Sequence, residues 1–134
     1  MLVIKEPHEL TKEEIVLFDR AVATYTQSGG SDVAMDLCYK DVYRIASISV
    51  EGSVVIALLT IKVHDDGSKD LLVSMLAGER AMDLFDEHAD DLAEFAKENM
   101  CERVTAFCNQ GVWDAVSRRN PSGLKHQVYF WLEV

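Results

Sequence analysis

The chain has 134 residues, 49% of them apolar, which is a globular composition large enough for one core and too rich in apolar residues for a disordered chain. Its formal charge is −10, from 23 acids against 13 bases, which repels phosphate backbones and anionic lipid and so excludes generic nucleic-acid and membrane-surface binding. The longest apolar stretch, residues 53–61, is far short of a membrane span, and no signal-peptide pattern opens the chain.

Residues 2–5 read as a short strand ended by Pro7. A helix starts at Thr11: Thr11 and Glu14 have capping-box spacing, and Leu10 with Ile15 fits a hydrophobic staple. Ile15, Phe18, Val22 and Tyr25 recur at helical spacing and predict its buried stripe. Gly29 and Gly30 end it, and Ser31 or Asp32 caps a second helix through about Tyr39. Residues 42–50 then read as a strand, Glu51-Gly52 as a turn, and 53–63 as a central strand buried on both faces. Asp65-Asp66-Gly67 is a hairpin signal, and 71–76 is the returning strand.

Gly78 breaks the pattern, and one continuous helix is predicted over residues 81–99. Its apolar set is Met82, Phe85, Ala89, Leu92, Phe95 and Ala96; its acids are Asp83, Asp86, Glu87, Asp90, Asp91, Glu94 and Glu98. The two sets fall on opposite faces. Residues 103–108 form the next strand, parallel to the one before Gly78. A short helix around Trp113, a loop at 120–123 and an aromatic closing strand at 126–134 follow. The fold class is α/β: a single domain over 1–134, a mixed sheet in the order β-α-α-β-β-β-α-β-α-β.

The charge is concentrated. Residues 79–102 hold 9 acids and 2 bases, so one short segment carries −7 of the −10. Such a face is ordinarily just solvated, but only Lys97 lies among the helix acids to offset their repulsion. A protein partner with a basic surface would use Asp83, Asp86, Glu87, Asp90, Asp91 and Glu94. Arg118, Arg119 and Lys125 make a basic region at the other end, so a head-to-tail homo-oligomer is conceivable.

The element order, with Ala77-Gly78-Glu79 after a strand, Cys101 and Val104 opening the next, then Gly111 and Trp113, resembles the Gcn5-related N-acetyltransferase (GNAT) fold. The closer resemblance is to small GNAT-like proteins of tailed bacteriophages. It implies that the loop Gly78, Glu79, Arg80 and Ala81 is the place for the pyrophosphate of acetyl-CoA, bound by backbone N–H groups at a helix start. The family pattern is Gln or Arg, two residues, Gly, one residue, then Gly or Ala. Here those positions hold Met75, Gly78 and Arg80, and Glu79 adds a carboxylate that repels phosphate. The family's acid-donating tyrosine follows an Asn and an Ala; those positions hold Asn109 and Val112, and the tyrosine position holds Val116, which donates no proton. Catalytic residues are thus unassigned. The resemblance implies a phage-encoded protein with a degenerate site and no cofactor, acting by protein contact as a virion or assembly component or a host-directed effector. The alternative is an active acetyl-CoA-dependent N-acyltransferase. A row of carboxylates mimicking nucleic-acid charge is a third reading.

The remaining candidates have plainer explanations. Cys38, Cys101 and Cys108 have no paired spacing and no activating neighbour in sequence, which points to buried thiols and a reduced, cytoplasmic setting, in the host or in a virion. His64, Asp65 and Asp66 read as a turn, and His8, His88 and His126 lack metal-site spacing, so no metal is expected. Trp113, Tyr129, Phe130 and Trp131 read as core, with an interface the alternative.

Overall fold

A computed structural model describes residues 2–24, 29–50 and 52–106. The expectations for Tyr25, Glu51, Cys108, the Asn109–Val112–Val116 pattern, the Trp113 helix, the loop, the closing strand and the basic region lie outside the described residues, as do the side chains of Met82, Phe85 and Asp86. The elements are β1 (Leu2–Lys5), α1 (Lys12–Thr24), α2 (Ser31–Tyr39), β2 (Arg44–Val50), β3 (Ser53–Val63), β4 (Lys69–Ala77), α3 (Leu84–Glu87), α4 (Ala89–Glu98) and β5 (Arg103–Ala106). Short 3-10 turns at Pro7–Glu9 and Ala81–Asp83 precede α1 and α3. The sheet order is β1-β2-β3-β4-β5. The first four strands pair antiparallel, and β4 with β5 is parallel, as the crossover through α3 and α4 requires.

The capping box of α1 is formed: the Glu14 N–H donates to Thr11 Oγ1 at 3.2 Å, and the Thr11 N–H donates to Glu14 Oε1 at 2.9 Å. Of the predicted buried stripe, Phe18 and Val22 are buried and Ile15 is not. Glu14, Leu17, Phe18, Ala21 and Val22 face inward, while Ile15 is 41% exposed. The helix turns Glu14 inward to reach Lys5 of β1 at 2.8 Å, and that rotation puts Ile15 in solvent. Leu10 still packs on the core, but Ile15 makes no buried staple with it. Neither Ser31 nor Asp32 caps α2; its N-cap is Gly30, at φ +96°. β2 starts at Arg44 rather than Val42, because the Leu37 carbonyl accepts from the N–H groups of both Val42 and Tyr43 and keeps them in the helix exit.

Two apolar layers cover the two sheet faces. One joins Ala46, Ile48, Val55, Ala57 and Leu59 to Leu84, Leu92 and Ala96 of the crossover. The other joins Ile45, Ile56 and Leu58 to Leu17, Phe18, Val22, Ala34 and Cys38 of α1 and α2. β3 thus feeds both layers, as expected, although its last three residues emerge into solvent. β4 changes sides. Leu71 and Val73 belong to the first layer, whereas Met75 and Ala77 belong to the second. The register explains this: Leu58 pairs Met75 but Leu59 pairs Val73, leaving Ser74 as a bulge.

The predicted continuous helix over residues 81–99 is broken. It becomes a 3-10 turn, four residues of α3, a break at His88 with φ −127° and ψ 19°, and then α4. Unbroken, it would set Asp86 beside Asp90 and Glu87 beside Asp91, like charges one turn apart, each pair costing about 0.2–0.5 kcal/mol. α4 ends in a Schellman motif. The Cys101 N–H donates to the Ala96 carbonyl at 2.8 Å and the Met100 N–H to the Lys97 carbonyl at 3.1 Å, with Met100 left-handed at φ +60°. Met100 is 76% exposed, so its side chain gains little there. Met100→Gly is expected to stabilise the fold by about 0.5–1 kcal/mol, read as a higher urea midpoint at unchanged slope.

Candidate cofactor loop and acidic face

The loop that follows β4 is shaped by its own neighbours. Gly78 has φ +144°, and a Cβ there would stand 2.7 Å from the Val54 carbonyl oxygen and 3.0 Å from Val55 Cα. The glycine is therefore demanded by close approach to β3. The Ala81 N–H donates to the Gly78 carbonyl at 3.2 Å, and the Asp83 N–H to the Arg80 carbonyl at 3.0 Å, which closes the 3-10 turn. Arg80 Nε donates to Asp83 Oδ2 in an ion pair whose carboxylate is mostly covered. Glu79 is exposed. Four residues upstream, the bulged Ser74 has a buried hydroxyl with no hydrogen-bond partner among the described residues.

The six acids picked out as a partner surface are not equivalent. Asp83 is turned to Arg80, and Asp91 lies 2.8 Å from His88 Nδ1. Glu87, Asp90 and Glu94 are exposed, the last two opposite the buried Leu92 and Ala96 of α4. The Asp86 side chain is outside the described residues. In the sequence His88 lacks metal-ligand spacing, and the signal for this contact is local: His88 and Asp91 are three apart at a helix start.

A second polar cluster was missed altogether. Asp66 does act as a turn residue, accepting from the Ser68 N–H at 2.9 Å. His64, however, reaches across the hairpin to Asp70, Nε2 to Oδ2 at 2.7 Å. Arg103 of β5 holds the same carboxylate with two bonds, Nε to Oδ1 at 3.0 Å and Nη2 to Oδ2 at 2.9 Å. Burial works to raise the Asp70 carboxyl, but the bonds from Arg103 and His64 outweigh it and hold the group below the usual carboxylate range. The only hint in sequence was an acid beginning an apolar strand, at Asp70. The cluster clamps the hairpin to β5 at the end of β4 remote from Gly78.

Neither described cysteine has nucleophilic character. Burial pushes the Cys38 thiol up to about 11 and raises that of Cys101 as well. Among the described residues, no group of three or more His, Cys, Asp or Glu could hold a metal ion. No described helix is long and apolar enough to cross a membrane.

No protein-family model matches the chain, and no curated protein matches it. Solved structures do. A probable acetyltransferase aligns at 12% identity with TM-score 0.64, covering 99% of each chain. The ribosomal-protein-alanine N-acetyltransferase of Brucella melitensis biovar Abortus 2308 aligns at 13% identity with TM-score 0.61, covering 100% of this chain and 99% of that one. A predicted acetyltransferase of Clostridium acetobutylicum, solved with acetyl-CoA, aligns at 9% identity with TM-score 0.60, covering 100% of this chain and 96% of that one. At such identities the likeness concerns the backbone: the chain has the mixed α/β fold of the GNAT acetyltransferases.

Proposed function

We propose that this is a GNAT-fold protein with a degenerate acetyl-CoA site that acts by contact with another protein. The observation that carries the reading is the state of the loop at Gly78–Ala81. Its glycine answers to the Val54 carbonyl rather than to a ligand, and its guanidinium is already matched by Asp83. Glu79 then leaves the loop negative where pyrophosphate would need the opposite. These residues do not fit the cofactor. Val116 at the family's tyrosine position supports the same reading. The exposed Glu87, Asp90 and Glu94 suit a partner with a basic surface. The resemblance to small phage proteins supports a phage-encoded virion or assembly component, or a host-directed effector.

The second reading is an acetyl-CoA-dependent N-acyltransferase. It is favoured by the fold and by the buried Ser74 hydroxyl at the bulge just before the loop, which has no partner among the described residues. Isothermal titration with acetyl-CoA separates the two. The expected result is no heat of binding up to millimolar ligand; micromolar affinity overturns the degenerate site and selects the enzyme.

A further inference from the structure

His88 sits at the break between α3 and α4, its side chain only 11% exposed. Both ring nitrogens face acceptors. Nδ1 is 2.8 Å from Asp91 Oδ2, and Nε2 is 2.9 Å from the Ser49 carbonyl oxygen of β2. A carbonyl oxygen and an ionised carboxylate both only accept. Neutral imidazole has one N–H and one lone pair, so it bonds one neighbour and turns a lone pair toward the other. The imidazolium donates to both.

We propose that His88 is a protonation-dependent pin: as the imidazolium it fastens the start of α4 to β2 through both Asp91 and Ser49, and on losing a proton it gives up one of the two bonds. The neutral ring donates from a single nitrogen, so the other acceptor meets a lone pair and loses its bond. α4 keeps its backbone but loses one side-chain tie at its start.

Among the described residues, the charged groups next to the pin along its own helices are carboxylates. α4 brings Asp91 in contact and Asp90 next along the chain; α3 brings Glu87 immediately before it. From β2, among the described residues, comes the Ser49 carbonyl, with Arg44 at the far end of that strand. The protonated form makes the extra bond. Its contribution is therefore present while the ring is charged and lost when the ring gives up its proton. The pin also bears on the loop end of the sheet, because Ser49 pairs with Val54, whose carbonyl faces Gly78. None of this depends on what the protein binds.

The test follows the ring nitrogens of the full chain by 15N NMR from pH 5.5 to 8.5, with amide exchange at residues 88–92 corrected for the intrinsic pH dependence. Two ring N–H groups are expected at the low end and one at the high end. Protection at the start of α4 should fall about tenfold across the change, the loss of one charge-assisted hydrogen bond. In Asp91→Asn the carboxamide can donate to the neutral ring's lone pair, so protection there should no longer vary with pH. The pin is overturned if the ring carries the same number of N–H groups at both ends, or if D91N keeps the wild-type profile.

Discussion

Gly78→Ala is expected to destabilise the fold by about 2–4 kcal/mol. Two independent causes add. The backbone is at φ +144°, a conformation that L side chains rarely adopt. The new methyl would also stand 2.7 Å from the Val54 carbonyl oxygen and 3.0 Å from Val55 Cα. These are backbone atoms of β3, a strand that contributes to both core layers, so they have no free side to move toward. The measurement is urea unfolding of the full chain, with the slope checked for constancy. A loss under about 0.5 kcal/mol would mean that the loop does not pack on β3 as described. The outcome also bears on function: a glycine kept only for a ligand would leave the unliganded fold unchanged on substitution.

Glu14→Gln should cost on the order of 2–3 kcal/mol at neutral pH. Burial works to raise the Glu14 carboxyl, but hydrogen bonds from Lys5, Ser47 and Thr11 hold it at about 2, against an ordinary 4.5. The side chain is 4% exposed and joins β1, α1 and β2, so solvent screens little of this. The folded-state value lies below the unfolded one. The stabilisation is thus present above about 4.5 and disappears as pH falls toward about 2. Wild type and E14Q should differ at pH 7 and converge near pH 2, as read from urea midpoints along the pH series. A gap that stays constant with pH would assign the loss to packing instead of charge.

Much of the architecture was legible before any coordinates. β1 and β3 begin and end where their patterns do, α2 ends at Tyr39 as its pattern does, and the Thr11–Glu14 box and the Asp66–Gly67 turn form as read. These features depend on residues within a few positions of one another. The parallel pairing of β4 and β5 is not local, but it was legible because a crossover joins the two strands. The candidate site was legible in place but not in state. The Gly78 loop and the acidic crossover are where they were expected, yet Asp83, one of the acids expected to face a partner, is instead turned to Arg80.

What the sequence alone determined is local: period, caps, turns and the location of the charge. What only the tertiary structure decided is which groups meet. Leu71, Val73, Met75 and Ala77 alternate as one face of a strand, yet pairing with β3 bulges Ser74 and divides them between two layers. Asp70 finds Arg103 from 33 positions away, and His88 finds Ser49 from 39. The predicted helix breaks beside that contact, between acids that would otherwise stack. Spacing in sequence sets periodicity, because it acts through the backbone's own geometry. Pairing of charge and register of strands act across space, so the −10 of this chain could be located from its sequence but not sorted into paired and exposed carboxylates.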